Sequence, residues 1–388
     1  KAVVYTQNEH GIDLSDVDSE AVFIIERLQA NGYETYIVGG AVRDLILGKK
    51  PKDFDIASAA SPARIKKIFR NARIIGHRFR LVHVYFGPRI YEVSTFRSIK
   101  DGPTSNTFGT IEEDVLRRDY TLNALFYDPL KQIVVDYVGG MKDIRSRKIR
   151  PIIPLSRIFT DDPVRMIRAV KYSAATGFAL PLALKWKIKK YRSLLRDVSP
   201  SRLTEEIFKI IHSSQAAAIV ENLELFGLYQ YLQPRASELF QTRNGFKLRY
   251  LATMKSLNQE GFQNRLGEAM SGLVRDYLED EADWNDESAE SPALPSERYK
   301  EAFIAARKFV LPMNPPRMEL DHAIRLLFAE HGVVIKKVRF PERRPRRAAG
   351  RREHEADEES PPPEKEQAPR KRRRRRSHRQ ENPPITEE

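Results

Sequence analysis

Cysteine is absent from this 388-residue chain. Disulfides and thiolate metal sites are thereby excluded, and a reducing compartment is compatible with the composition. Long apolar runs are missing too: nothing approaches the roughly 18 residues that a membrane-spanning helix needs, and the start at Lys1 shows no signal-peptide core. These absences predict a soluble, cytoplasmic protein with a trimmed N-terminus and no transmembrane segment. No repeat of about 20–50 residues stands out, which argues against a solenoid. Apolar residues are 41% of the chain and charged residues 31%, a balance expected when part of a chain stays unfolded.

The most informative stretch is residues 36–57, YIVGGAVRDLILGKKPKDFDIA. Tyr36, Ile37 and Val38 form a β-prone run, Gly39-Gly40 a break, and residues 41–47 a helix-compatible turn or two. A basic loop follows (Lys49, Lys50, Lys52), after which Phe54 and Ile56 alternate with Asp53 and Asp55 as on a strand. A strand–Gly-Gly–helix unit presents free backbone N–H groups to an anion. Strand residues two apart share a face, so Asp53 and Asp55 can share a hard divalent cation. Mg²⁺ accepts one or two carboxylates completed by substrate phosphates and water, which suits chemistry on a nucleoside triphosphate.

Net charge is +14 and pI about 9.7. Residues 341–388 hold fifteen Lys/Arg against eleven Asp/Glu, a net of +4, which leaves +10 on the rest. The folded part is thus basic in its own right and suits a polyanionic partner.

The pattern predicts an α/β head over residues 1–152, a small mixed sheet flanked by helices. Helices are expected at 19–31 (apolar Val22, Ile25 and Leu28, ended by Gly32), 62–69 and 112–124; strands at 80–86, 90–96 and 132–137. Residues 100–107, KDGPTSNT, are expected to be a mobile loop. An all-α region should cover 153–235, with helices at 161–175, 183–195, 201–212 and 216–226. A helical body over 236–340 should carry helices at 246–254 and 298–329 and an acidic loop at 278–296. Residues 341–388 are too rich in Arg, Glu and Pro to fold alone and should form a disordered basic tail.

Three further groups carry candidate chemistry. Glu92 shares a strand face with Ser94 and is a candidate third metal-site carboxylate; Arg97 beyond it could meet phosphate. In RRDYTLN, Asp119 and Asn123 stand at i and i+4, which on a helix is one face; Arg118 would point to phosphate and the other two to sugar and metal. In DDPVRMIR, Asp162 and Arg165 lie one turn apart, so an acceptor and a donor fork could meet the edge of one base.

Together these segments (VGGAVRDLILG, KDFDIA, RRDYTLNAL, DYVGGMKDI, DDPVRMIRAVKYSA and SPSRLTEEI) resemble the class II tRNA nucleotidyltransferase and bacterial poly(A) polymerase family of the DNA polymerase β superfamily. They run in family order over residues 33–207, and the resemblance implies that the α/β head is a nucleotidyltransferase head and that 153–235 is a helical neck and nucleotide/RNA-binding region. The resemblance implies that Asp53 and Asp55 are the metal carboxylates, grouped with Asp119, and that Asp162 and Arg165 belong to a base-reading helix. Asp161 stands where the family usually has Glu. Residues 74–84, IIGHRFRLVHV, look like the poly(A) polymerase I branch, although His77 departs from the usual Arg or Lys.

The expected chemistry is therefore transfer of AMP from ATP to RNA 3′ ends without a template, by two-metal Mg²⁺ catalysis with pyrophosphate release. Gly39, Gly40, Arg43 and neighbouring Asp44 would bind nucleotide, and Arg78, Arg80 and the run containing Arg372, Arg373 and Arg374 would grip RNA phosphates. CCA addition to tRNA is the alternative product. A non-catalytic RNA-binding protein is the alternative of another class.

Overall fold

Strand β2, Thr35–Val38, is buried along its whole length and organises everything that follows. The computed structural model describes residues 1–76, 81–98, 107–257, 266–282, 284 and 294–335. Arg78, Arg80, residues 100–106, most of the acidic 278–296 segment and all of 341–388, with Arg372, Arg373 and Arg374, lie outside the described residues.

With β1 (Val3–Thr6), β3 (Asp55–Ser58), β4 (Ala72–Ile75), β5 (Leu81–Phe86), β6 (Arg89–Thr95), β7 (Leu125–Asp128) and β8 (Ile133–Asp136), β2 forms one mixed sheet. Its order is β1-β8-β7-β2-β3-β6-β5-β4. Only the β3–β6 pair is parallel; the other neighbours run antiparallel. The sheet is larger than the sequence suggested, because β1 and β4 carry weak patterns and gain their partners from β8 and β5.

Alternation places Tyr36 and Val38 on one face of β2 and Ile37 on the other. Tyr36 and Val38 join Phe96, Phe126, Ile111 and Val115 in one buried cluster. The helix Ser19–Ala30 packs on β2 and β3. It starts where the Asp18 carboxylate accepts from Glu20 N–H and ends at Asn31, with Gly32 at positive φ. Its buried residues are Ala21, Ile24, Ile25 and Leu28, a helical stripe turned slightly from the expected one, and Phe23 is exposed.

Two predicted helices are broken. The 112–124 segment is a helix only at Ile111–Leu116, followed by a 3₁₀ turn at Thr121–Asn123. Between them Tyr120 bridges to Pro151 and Thr121 N–H donates to the Arg150 carbonyl, which pulls the chain off the helix path. The 161–175 segment divides into Ile158–Asp161 and Val164–Thr176. Asp162 is extended there (φ −154°, ψ 101°), as a residue before proline prefers.

Beyond the head the described chain is helical: Leu182–Tyr191, Pro200–Ile211, Ala216–Leu225, Tyr229–Leu232, Pro234–Thr242, Phe246–Ser256, Leu266–Glu281, Pro295–Phe309 and Arg317–Glu330. The expected helical stretch 298–329 holds two helices, and the expected acidic loop begins inside a helix, since 278–281 close Leu266–Glu281 with Leu278 buried. Residues Lys1–Val338 form one compact unit, and none of the described helices is long and apolar enough to cross a membrane.

Candidate active site

Val38 pairs with Asp55 across β2 and β3, so the Gly-Gly turn that follows Val38 and the start of β3 meet at one end of the sheet. Gly39 adopts φ 74°, ψ −135°, a region essentially reserved for glycine, and Gly40 opens the short helix Gly40–Ile46. A Cβ on Gly39 would stand 3.7 Å from Asp55 Oδ2 and 4.0 Å from Arg118 Nη1. The turn therefore lies directly on the carboxylate.

The parallel register Ile56↔Val93 sets Asp55 beside Glu92 one step earlier on each strand. Across β5, Glu92 faces His83, with Oε1 and Nε2 3.4 Å apart. Burial pushes the Asp55 carboxyl up to about 6, and the nearby charges of Glu92 and Asp53 push the same way. The side chain is reachable from the cleft yet hemmed in by protein around it. Carboxylates that raise one another in this way bind protons or cations readily.

Two cavities flank Asp55. One, of about 310 Å³, is lined by Gly39, Gly40 and Asn123 and by four arginines, Arg97, Arg117, Arg118 and Arg168. Burial and the positive neighbours Arg97 and Arg118 bring Arg117 down to about 10, against the opposing pull of Asp114. Arg118 is braced by Asp114 Oδ2 (2.9 and 3.1 Å) and donates to the Asn123 carbonyl at 3.1 Å. Guanidinium groups crowded enough to depress one another form a site that an anion would relieve. The second cavity, of about 450 Å³, collects lysines instead: Lys49, Lys50, Lys52, Lys171 and Lys209, with Asp53 on its wall. Lys52 Nζ donates to the His212 carbonyl at 2.6 Å, tying the basic loop to the end of helix Pro200–Ile211. Arg43 stands between the cavities, bonded to Asp44 Oδ1 (2.8 and 2.9 Å) and Asn123 Oδ1 (2.8 Å).

The expectation that Asp119 and Asn123 share a helix face is corrected: the chain turns between them, and they reach the same cavity from separate segments. Both oxygens of Asp119 are occupied, by Arg165 Nε at 2.8 Å and Arg168 Nη1 at 2.7 Å. Asp162 and Arg165 are not brought together either. Asp162 accepts from Arg202 at 2.8 and 2.9 Å. Arg165 is 4% exposed and turned toward Asp119 and the Ile158 carbonyl. A backbone turn still links the two residues, Arg165 N–H donating to the Asp162 carbonyl at 3.2 Å, but the Asp162 carboxylate also accepts from Val164 N–H at 3.1 Å and points away from the guanidinium.

Glu206 emerges as a hub that the sequence reading did not assign. Buried at 1% exposure, it accepts from Arg168 and Lys171 and, at 3.5 Å, from Lys209. Burial alone would raise its carboxyl, but the three cations outweigh it and hold it near 2. A signal was present: Arg168 and Lys171 stand three residues apart on one face of helix Val164–Thr176, two cations that need a shared acceptor when buried.

Among the described residues no group of three His, Asp or Glu side chains is gathered tightly enough to hold a metal alone. Asp53 and Asp55 still fit Mg²⁺, which takes one or two carboxylates and fills the rest with phosphates and water.

Comparison with known proteins agrees with this geometry. Residues 35–150 match the family described as "Poly A polymerase head domain", and residues 177–240 the one described as "Probable RNA and SrmB- binding site of polymerase A". The chain is 40% identical over 258 residues to poly(A) polymerase I of Salmonella typhi, covering 62% of this chain and 55% of that protein. It is 38% identical over 230 residues to the CCA-adding enzyme of Geobacillus stearothermophilus, covering 58% and 57%. The chain thus spans about half the length of the curated relatives it matches. The crystal structure of the Bacillus stearothermophilus CCA-adding enzyme in complex with CTP superposes with a TM-score of 0.54 at 28% identity, over 80% of this chain and 82% of that one. With a Gly-Gly turn, paired aspartates and a helical extension in one order, residues 35–150 and 177–240 are similar to the head and RNA-binding regions of polymerase A, and 58–62% of the chain is similar to poly(A) polymerase I and to a CCA-adding enzyme.

Proposed function

We propose that this protein adds AMP from ATP to RNA 3′ ends without a template. The observation that carries the reading is the placement of Asp55 between an arginine-lined and a lysine-lined cavity, which gives the carboxylate pair one polyanion on each side. Arg97, Arg117, Arg118 and Arg168 bind the triphosphate, and the Gly39-Gly40 turn lets its phosphates approach the backbone. Lys49, Lys50, Lys52 and Lys209 hold the RNA 3′-terminal backbone from the opposite side. Mg²⁺, when bound by Asp53 and Asp55, neutralises phosphate charge and eases deprotonation of the attacking 3′-hydroxyl. Arg43, fixed by Asp44 and Asn123, keeps the wall between the two ligands in place. Base reading by Asp162 and Arg165 requires that they exchange Arg202 and Asp119 for the nucleotide, so it belongs to a nucleotide-bound arrangement. The head at 1–152, the neck at 153–235 and the body at 236–340 then divide catalysis, nucleotide contact and RNA grip among them.

CCA addition is the second reading, favoured by the likeness to a solved CCA-adding enzyme. Incubating the protein with a tRNA lacking CCA, in separate pools of ATP and CTP with Mg²⁺, decides between them. Adenylate tails from ATP alone are expected; incorporation from CTP would overturn the assignment, and no incorporation from either pool would leave only RNA binding.

A further inference from the structure

From Pro163 to Arg196 the chain has no acidic residue. Within this stretch the helix Leu182–Tyr191, LALKWKIKKY, buries only Leu184 and Ile188. Its other apolar residues face outward, Leu182 at 82% and Trp186 at 58% exposure, one turn apart on the same side. Exposure of an indole and a leucine beside four lysines is not what a helix needs merely to stay soluble. None of Lys185, Lys187, Lys189 and Lys190 pairs with a carboxylate among the described residues. Two of the four ammonium groups sit against rings instead: Lys190 Nζ lies 5.0 Å from the Trp186 ring centroid and 5.6 Å from that of Tyr191, and Lys187 Nζ 5.6 and 5.2 Å from the same two.

We propose that this helix is a single-stranded RNA docking face on which one base stacks on Trp186 while Lys185, Lys187, Lys189 and Lys190 hold the flanking phosphates. The inference deepens the RNA reading above and rests on it. Alternating π-faces and unpaired cations are the combination that grips single strands without reading sequence, and the lack of carboxylates makes the surface complementary to a polyanion. The position suits a strand already engaged at its 3′ end. Thr176 lines the lysine-rich cavity, and the ten residues from there to Trp186 cannot span more than ~36 Å. The helix is therefore within a short oligonucleotide's reach of the cleft.

The test uses the full chain and a 3′-hydroxyl oligo(A) of about 20 nucleotides, long enough to run from the cleft past the helix. Trp284, the second tryptophan, is buried, so quenching of indole emission on titration reports Trp186. Quenching in wild type and its loss in Trp186→Phe are expected. Trp186→Ala should weaken oligo(A) binding about tenfold, the effect of one stacked base, with an unchanged thermal midpoint because the side chain is exposed. Replacing the four lysines by Ala should reduce the slope of log affinity against log salt by up to ~3, at about 0.7 per phosphate released. Oligo(A) binding that leaves the indole unquenched and is as tight in Trp186→Ala overturns the proposal, as does a Trp186-dependent complex with an acidic protein but not with RNA. Adenylate transfer to a saturating primer, measured in parallel, separates the two readings. Transfer without any Trp186 dependence of binding sinks only the docking face. Trp186-dependent binding without transfer sinks only the enzymatic reading.

Discussion

Glu206→Gln is the most informative perturbation of the head–neck junction. Glu206 is almost wholly buried and is the shared acceptor of Arg168, Lys171 and Lys209. Its carboxyl lies near 2 instead of the usual 4.5, and at about 1.4 kcal/mol per pKa unit this corresponds to roughly 3 kcal/mol of stabilisation at neutral pH. Removing one partner of a buried ion pair costs about 3–5 kcal/mol by a separate route, because the other charge is stranded. Both figures place the loss near 3 kcal/mol. The stranded charge is chiefly Lys171, 11% exposed, since Arg168 keeps Asp119. The folded carboxyl is depressed, so its contribution is full above about 4.5 and disappears as pH falls toward 2. Urea unfolding at pH 7 should show the loss, and the gap from wild type should narrow as pH falls through that window. Adding Lys171→Met should recover part of it. A Glu206→Gln variant within ~0.5 kcal/mol of wild type at pH 7 would refute the hub, because effects of that size are ordinary for surface substitutions.

Asp55→Asn should abolish nucleotide transfer yet raise the thermal midpoint of chelator-treated protein at pH 8. Asp55 is raised from 3.8 to about 6, so its ionised form costs stability above about 6 and nothing below about 4. The midpoints should converge near pH 4, and a lower midpoint for the variant at pH 8 would contradict the reasoning. For the same reason Mg²⁺ affinity of the wild type should fall about tenfold per pH unit below 6, since metal and proton compete for one carboxylate; titration calorimetry at pH 5 and 7 checks it. Gly39→Ala should destabilise by about 1–3 kcal/mol through backbone strain. The added methyl would meet Asp55 only at ordinary contact distance, so a thermal midpoint equal to wild type would show that the turn relaxes.

The local chemistry was legible in the chain. Gly39-Gly40 between a β-prone run and a helix, and Asp53 with Asp55 ahead of Ile56, depend on neighbours in sequence. So does the Gly32 stop of the Ser19–Ala30 helix. What failed were readings that carried one helix through residues 112–124 and 161–175. In the first, long-range pairing of Tyr120 and Thr121 with 150–151 overrode helical spacing. In the second, Asp162 takes the extended conformation that a residue before proline prefers, so the long helix starts only after it.

Only the tertiary structure decided which charges meet. The parallel register of β3 with β6 sets Glu92 beside Asp55, although 37 residues separate them. Packing of helix Pro200–Ile211 against Val164–Thr176 delivers Glu206 to Arg168 and Lys171. The two aspartates and the glycine pair were thus determined by the sequence itself, whereas their surroundings were not. An arginine cavity on one side, a lysine cavity on the other and a raised Asp55 between them arise because burial and Coulomb interactions depend on distance in space, which chain spacing does not encode.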